Sequence, residues 1–140
     1  MKLRSGIKLL AEIKGDGEVL QDNDRCDVVL KFYRNRDEPL AMKTYPVEPI
    51  PYVIDRGGSP EIVWKSPDPI DSHIVINRNL SVSRAADLLP GIYYSLLGMA
   101  AGGYRHVAIP PHLFAHSMHE NLGINRESVI KLECFVIARR

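Results

Sequence analysis

Apolar and polar residues alternate with period two over residues 7–13, where Leu9, Ala11 and Ile13 share one face. The same alternation returns over 27–33, setting Val28, Leu30 and Phe32 against Val29, Lys31 and Tyr33, and over 72–77, setting His73, Val75 and Asn77 against Ile74 and Ile76. Period two predicts strands in all three places. The pattern changes in the run Leu88 to Pro111, LLPGIYYSLLGMAAGGYRHVAIPP. Pro90 suits a first helical position, because its missing N–H would have no intrahelical partner there. Ile92, Leu96 and Met99 then recur at helical spacing, and the Gly102-Gly103 pair supplies the positive φ of a helix exit. Period two resumes over 104–109, with Arg105, Val107 and Ile109 opposite Tyr104, His106 and Ala108, until Pro110 and Pro111 end the ladder.

Between these segments, residues 15–24 are charged and turn-rich, as a connection requires. Residues 39–69 hold seven of the ten prolines, and Pro46, Pro49 and Pro51 crowd too closely for a helix or a central strand. Extended irregular chain is expected there, with a turn at Arg56-Gly57-Gly58-Ser59-Pro60 and a short edge strand over 61–65 that carries Trp64. Strands, a proline-rich middle, one strand, one helix and further strands describe an α+β fold, an antiparallel sheet packed on a single helix.

The ordered set L-P-G-I from Leu89, L-x-G-M from Leu96, G-G-x-R from Gly102 and I-P-P from Ile109 resembles the C-terminal half of the FKBP-type peptidyl-prolyl cis-trans isomerases. Leu122-Gly123-Ile124 followed by the run 129–136 is similar to the last loop and strand of that family, and Gly15-Asp16-Gly17 resembles its N-terminal part. The resemblance covers 88–137 well and 7–32 loosely. It implies an FKBP-like twisted antiparallel half-barrel wrapped around one main helix, a single domain over 1–140, with residues 39–70 as a proline-rich insertion.

The same resemblance implies an activity and a site. Rotation about an X-Pro bond faces a barrier of roughly 18 to 20 kcal/mol, because twisting the C–N bond removes amide resonance. An apolar pocket that fits the twisted amide better than the planar forms lowers it by differential binding, with no cofactor. Leu88 and Leu89 match the family's Val-Ile pair, whose second backbone N–H binds the ligand carbonyl, and Ile92 stands where the family keeps a tryptophan floor. Ile124 and Leu132 match walls of the pocket, and Phe32, or in another register Leu30, replaces the tyrosine of the early strand. After I-P-P the family's L-A-Y-G reads His112-Leu113-Phe114-Ala115-His116, so Ala115 replaces its tyrosine and Phe114 partly fills the gap. The family's Phe-Asp pair finds its nearest counterpart in Ile54-Asp55. Leu89, Asp55 and Phe32 are therefore the candidate catalytic residues, and Leu88, Leu89, Ile92, Phe114, Ile124 and Leu132 the candidate substrate-binding ones. The apolar members are equally what a core would demand of this helix and strand, and an acid beside Gly-Gly is equally a turn acid. A non-catalytic peptide- or protein-binding module with an altered pocket is the alternative function.

Composition narrows the partners. The chain has 140 residues, 45% apolar and 25% charged, and a formal net charge of +1, which offers no footprint for nucleic acid or a membrane surface. The resemblance implies proline-containing peptides or unfolded chains as partners, with the protein a monomer or weak homo-oligomer. No apolar run reaches spanning length and no secretory signal opens the chain, so a cytoplasmic location is expected. Cys26 and Cys134 have no ligand-like spacing and read as small buried side chains. His112, His116 and His119 follow H-x-x-x-H-x-x-H, a spacing that could gather imidazoles around a metal on a helix, but no glutamate stands in the metalloprotease position. No metal site is assigned.

Overall fold

The computed structural model describes residues 6–40, 48–67, 73–83, 88–114 and 116–140. Among the described residues seven strands form: β1 (Lys8–Ile13), β2 (Asp24–Arg34), β3 (Ile50–Arg56), β4 (Ser59–Lys65), β5 (Ile74–Val82), β6 (Tyr104–Ile109) and β7 (Ile130–Arg139). Helix α1 (Pro90–Leu96) precedes β6, and a 3-10 turn (Pro111–Leu113) and the short α2 (His116–Asn121) follow it. Five strands make one antiparallel sheet in the order β1-β6-β7-β2-β5, and β3 pairs only with β4. The fold is α+β, a mostly antiparallel sheet with one main helix.

Alternation along the two central strands sends apolar side chains to both faces of the sheet. Val28, Leu30, Phe32, Leu132, Cys134 and Val136 join Ile92, Tyr93 and Leu96 of α1 in the larger core. Val29, Ile74, Tyr104 and Phe135 point the other way and pack with Ile50, Tyr52, Val53 and Ile62 of the β3–β4 hairpin. Lys31 lies on the hairpin face as well. Its ammonium donates to the Pro51 carbonyl at 2.6 Å and stands 3.8 Å from the centre of the Tyr52 ring, so its charge is met by an acceptor and a π face inside the interface. Beside it, the Glu133 carboxylate accepts from the hydroxyls of Tyr33 and Tyr104, both at 2.6 Å.

The hairpin corrects the expectation of irregular chain. Residues 50–65 are ordered into two strands of seven residues each, joined at Gly57 and Gly58 with φ of +61° and +90°. A two-residue turn with both φ positive matches the twist of a hairpin. Pro51 and Pro60 are tolerated because each strand of a two-stranded ribbon keeps an open edge.

The helix also differs from expectation. It starts at Pro90 as predicted, but ends at Leu96 rather than at Gly102-Gly103. Leu97 turns to φ −60° and ψ 127°, and Gly98 takes φ +84°. Residues 98–101 instead run against 17–20: the Leu20 N–H donates to the Met99 carbonyl at 2.7 Å and the Gly98 N–H to the Leu20 carbonyl at 2.9 Å. Two more bonds, from Gly17 to Ala101 and from Ala101 to Glu18, are each 3.0 Å. Met99 is buried at its helical spacing, but extended chain carries it there. The carbonyls left open at the helix end are taken by Arg105 of β6, whose Nη1 donates to Ser95 O at 3.1 Å and Leu97 O at 3.0 Å.

This crossing explains the Gly15-Asp16-Gly17 motif. A Cβ on Gly15 would lie 2.2 Å from the Ala101 carbonyl oxygen and 2.5 Å from the Gly103 nitrogen. Both obstacles are backbone, which cannot step aside. Gly15→Ala is therefore expected to lower stability in urea denaturation by about 3 kcal/mol, whereas Gly57→Ala, with nothing within 4 Å and only the backbone angle to strain, should cost about 1 kcal/mol.

Cys26 and Cys134 are both buried free thiols, as expected. Burial, then the Asp27 and Asp24 carboxylates, push the Cys26 thiol up to about 11, and burial raises Cys134 likewise. An unfolded cysteine ionises near pH ~8.5, so the protonated native thiol contributes stability that is intact below that pH and lost as pH rises toward 11. Native protein at about pH 8 should leave an aromatic disulfide reagent unconsumed and react with it once urea is added.

Candidate functional site

Helix α1 begins where the chain must pass close to β6 and the turn after it. A Cβ on Gly91 would lie 2.8 Å from Ile109 Cγ2 and 3.3 Å from Phe114 Cζ, so Pro-Gly at the helix start is what permits this approach. Leu89 is the N-cap, and its carbonyl accepts from the N–H groups of Ile92 and Tyr93, each at 3.0 Å. Its own N–H precedes the first helical turn and has no intrahelical acceptor.

Around that point the structure gathers most of the residues singled out in the sequence. Phe32 and Leu132 are cross-strand partners in β2 and β7. With Ile92 and Phe114 they belong to one apolar cluster, against which Leu88, Leu89 and Ile124 pack as partly buried members. Phe32, Ile92, Phe114 and Leu132 are buried there, and Leu88, Leu89 and Ile124 are half-buried. Leu30 lies in the same cluster one turn of the pleat away.

Asp55 is not brought there. It stands exposed at the end of β3, where its Oδ1 accepts the Gly58 N–H at 2.9 Å, so it shapes the hairpin turn on the opposite face of the sheet. The hairpin register, pairing Asp55 with Pro60, fixes that position.

Two residues of the site escaped the sequence reading. Leu40 is buried in the cluster, held by its N–H to the Phe32 carbonyl at 3.0 Å. It was hidden by the proline-rich composition beginning at Pro39, although an apolar residue just past the turn-prone Asn35-Arg36-Asp37 was the available signal. His119, read as a metal candidate, is fully buried instead. Its ring meets Phe114 edge-on at 6.2 Å, its Nε2 lies 3.1 Å from the Ser128 carbonyl, and its own carbonyl accepts the Ile124 N–H at 3.0 Å. His119 therefore pins the loop that carries Ile124. His112 is exposed and the side chain of His116 lies outside the described residues; among the described residues no three metal-binding side chains converge.

No family model matches the chain, and no curated protein matches it by sequence. Solved structures do match. A peptidyl-prolyl cis-trans isomerase from Pseudomonas syringae pv. tomato superposes with a TM-score of 0.59 at 15% identity, over 99% of this chain and 79% of its own. AtFKBP13 gives 0.58 at 14% identity over 99% of this chain and 97% of its own. The chain has an FKBP-type fold. FkpA from Escherichia coli gives 0.52 at 16% identity, with all of this chain covering 51% of that protein. These matches span 99% or more of this chain, at low identity throughout.

The difference between buried and half-buried members is measurable. Leu132→Ala, at 0% exposure, should cost about 3 kcal/mol in urea denaturation, and Leu88→Ala at a half-buried position should cost roughly 1 kcal/mol.

Proposed function

We propose that this protein is a peptidyl-prolyl cis-trans isomerase that binds X-Pro segments at the half-open edge formed by Leu88, Leu89 and Ile124, above Phe32, Leu40, Ile92, Phe114 and Leu132. One observation supports the reading: these apolar side chains belong to, or pack against, one cluster that includes Ile92 in the first turn of the main helix after its N-cap Leu89, within a fold shared with a solved isomerase. The prolyl ring enters the apolar floor, and the Leu89 N–H donates to the carbonyl of the residue before proline. Desolvation there favours the twisted amide, which has lost its resonance and carries less charge separation, over either planar form. A ten-thousand-fold acceleration needs about 5.4 kcal/mol of that preference. Asp55 takes no part, since it belongs to the hairpin turn.

A second reading, a non-catalytic binding module, is favoured by one feature, the exposure of Trp64 at 53% on the hairpin. In that case the hairpin engages a partner protein and the apolar edge is inert.

Acceleration of a Leu-Pro or Phe-Pro peptide, followed by NMR exchange, separates the two. The isomerase reading expects turnover that Leu89→Asp reduces at least ~100-fold by charging the edge, while Asp55→Ala stays within about twofold. A folded wild-type sample that fails to accelerate either peptide, or one in which Leu89→Asp turns over like wild type, defeats it.

A further inference from the structure

At the other end of α1 lies a cleft of about 430 Å3, within the roughly 300–1,000 Å3 of ligand sites. Glu12, Lys14, Gly15, Val19, Gly98 and Arg105 are among its walls. The Arg105 side chain is only 9% exposed, and its Nε donates to Glu12 Oε2 at 3.0 Å. Nη1 serves the carbonyls of Ser95 and Leu97. Nη2 is left over. It donates to no described residue, yet it is not sealed in the core, and it stands where a Cβ on Gly98 would be 3.7 Å away, at the cleft wall. Glu12 Oε1 likewise accepts nothing from a described residue.

The charge of the guanidinium is already matched by one carboxylate and two carbonyls, so what remains is a neutral requirement, one donor beside one acceptor. A bare anion would satisfy Nη2 but meet the Glu12 carboxylate. A peptide group presents C=O and N–H together and satisfies both. We propose that this cleft is a second peptide-binding site, separate from the Leu89 edge and independent of whether the protein isomerises proline. It takes an extended segment whose main-chain carbonyl accepts from Arg105 Nη2 and whose N–H donates to Glu12 Oε1. Gly98, whose Cβ would stand 3.7 Å from Arg105 Nη2, leaves that part of the wall bare enough for backbone to approach, and Val19, half exposed at the rim, offers apolar contact.

The test is an NMR titration of the 15N-labelled protein with an acetylated and amidated, proline-free Thr-Val-Thr-Val-Thr peptide, and in parallel with sodium acetate. The expected result is that the peptide shifts the Arg105 Nε–H and the amides of Gly15 and Gly98 and leaves Leu89 and Ile92 in place. Glu12→Gln turns the outward acceptor into a donor; it should weaken the peptide by roughly tenfold or more while acetate binds as before or more tightly. The wild-type titration decides the matter should that variant not fold. Absence of any shift at Arg105 up to about 5 mM peptide, shifts confined to Leu89 and Ile92, or a Glu12→Gln variant that binds peptide more tightly would each overturn the proposal.

Discussion

The middle strands of the sheet are apolar on both faces, and a strand pair of that kind must be covered twice. From position 28 to 32, every residue of β2 is buried, and β7 beside it buries Leu132, Cys134 and Val136 on one side and Phe135 on the other. One face takes α1. The other takes the β3–β4 hairpin, and the proline-rich middle of the chain is the segment that returns to make it. Placement of the candidate site follows from this division, because the helix that covers the first face starts at its edge and leaves Leu88 and Leu89 half buried there.

The two covers are held differently. On the helix face the packing is mostly apolar, with Arg105 on the carbonyls at the C-terminal end of α1 and Gly91 permitting close approach at its start. On the hairpin face a buried ammonium, two phenols and a carboxylate share the interface. Burial and then the charge of Glu133 push the Tyr104 phenol far up, which keeps it a donor to that carboxylate at any ordinary pH. Polar partners of this sort must be fully met to be tolerated, and the bond from the Lys31 ammonium to the Pro51 carbonyl ties the hairpin to the sheet at one place.

Much of the cluster around the start of the helix was legible because it is built from local signals in a row. Pro90, Gly91, Ile92 and the I-P-P stop are short-range features, each with a mechanism, and Phe32 fell on a strand whose period could be read directly, whereas Leu132 and Ile124 came from the resemblance to the FKBP family. Asp55 was misplaced for the opposite reason. Its neighbours Gly57 and Gly58 gave the turn correctly, but nothing local says on which face of a distant sheet a hairpin will lie. Leu40 was missed since its role depends on a single hydrogen bond to Phe32, and His119 since its spacing to other histidines was more visible than the loop it holds.

By itself the sequence determined several strands of the larger sheet, where the helix begins and many of the side chains that had to be buried, because period, proline and glycine act on a few adjacent residues. The helix end and the second layer were decided only in three dimensions. Gly98 and Met99 could have continued a helical pattern, but the hydrogen bonds offered by residues 17–20 drew them into a ladder. The prolines of the middle segment forbade a helix without naming an alternative, and the uncovered face of β2 and β7 supplied it. Contacts between residues far apart in the chain have no period to betray them; they are settled by which surfaces remain exposed after the local elements have formed.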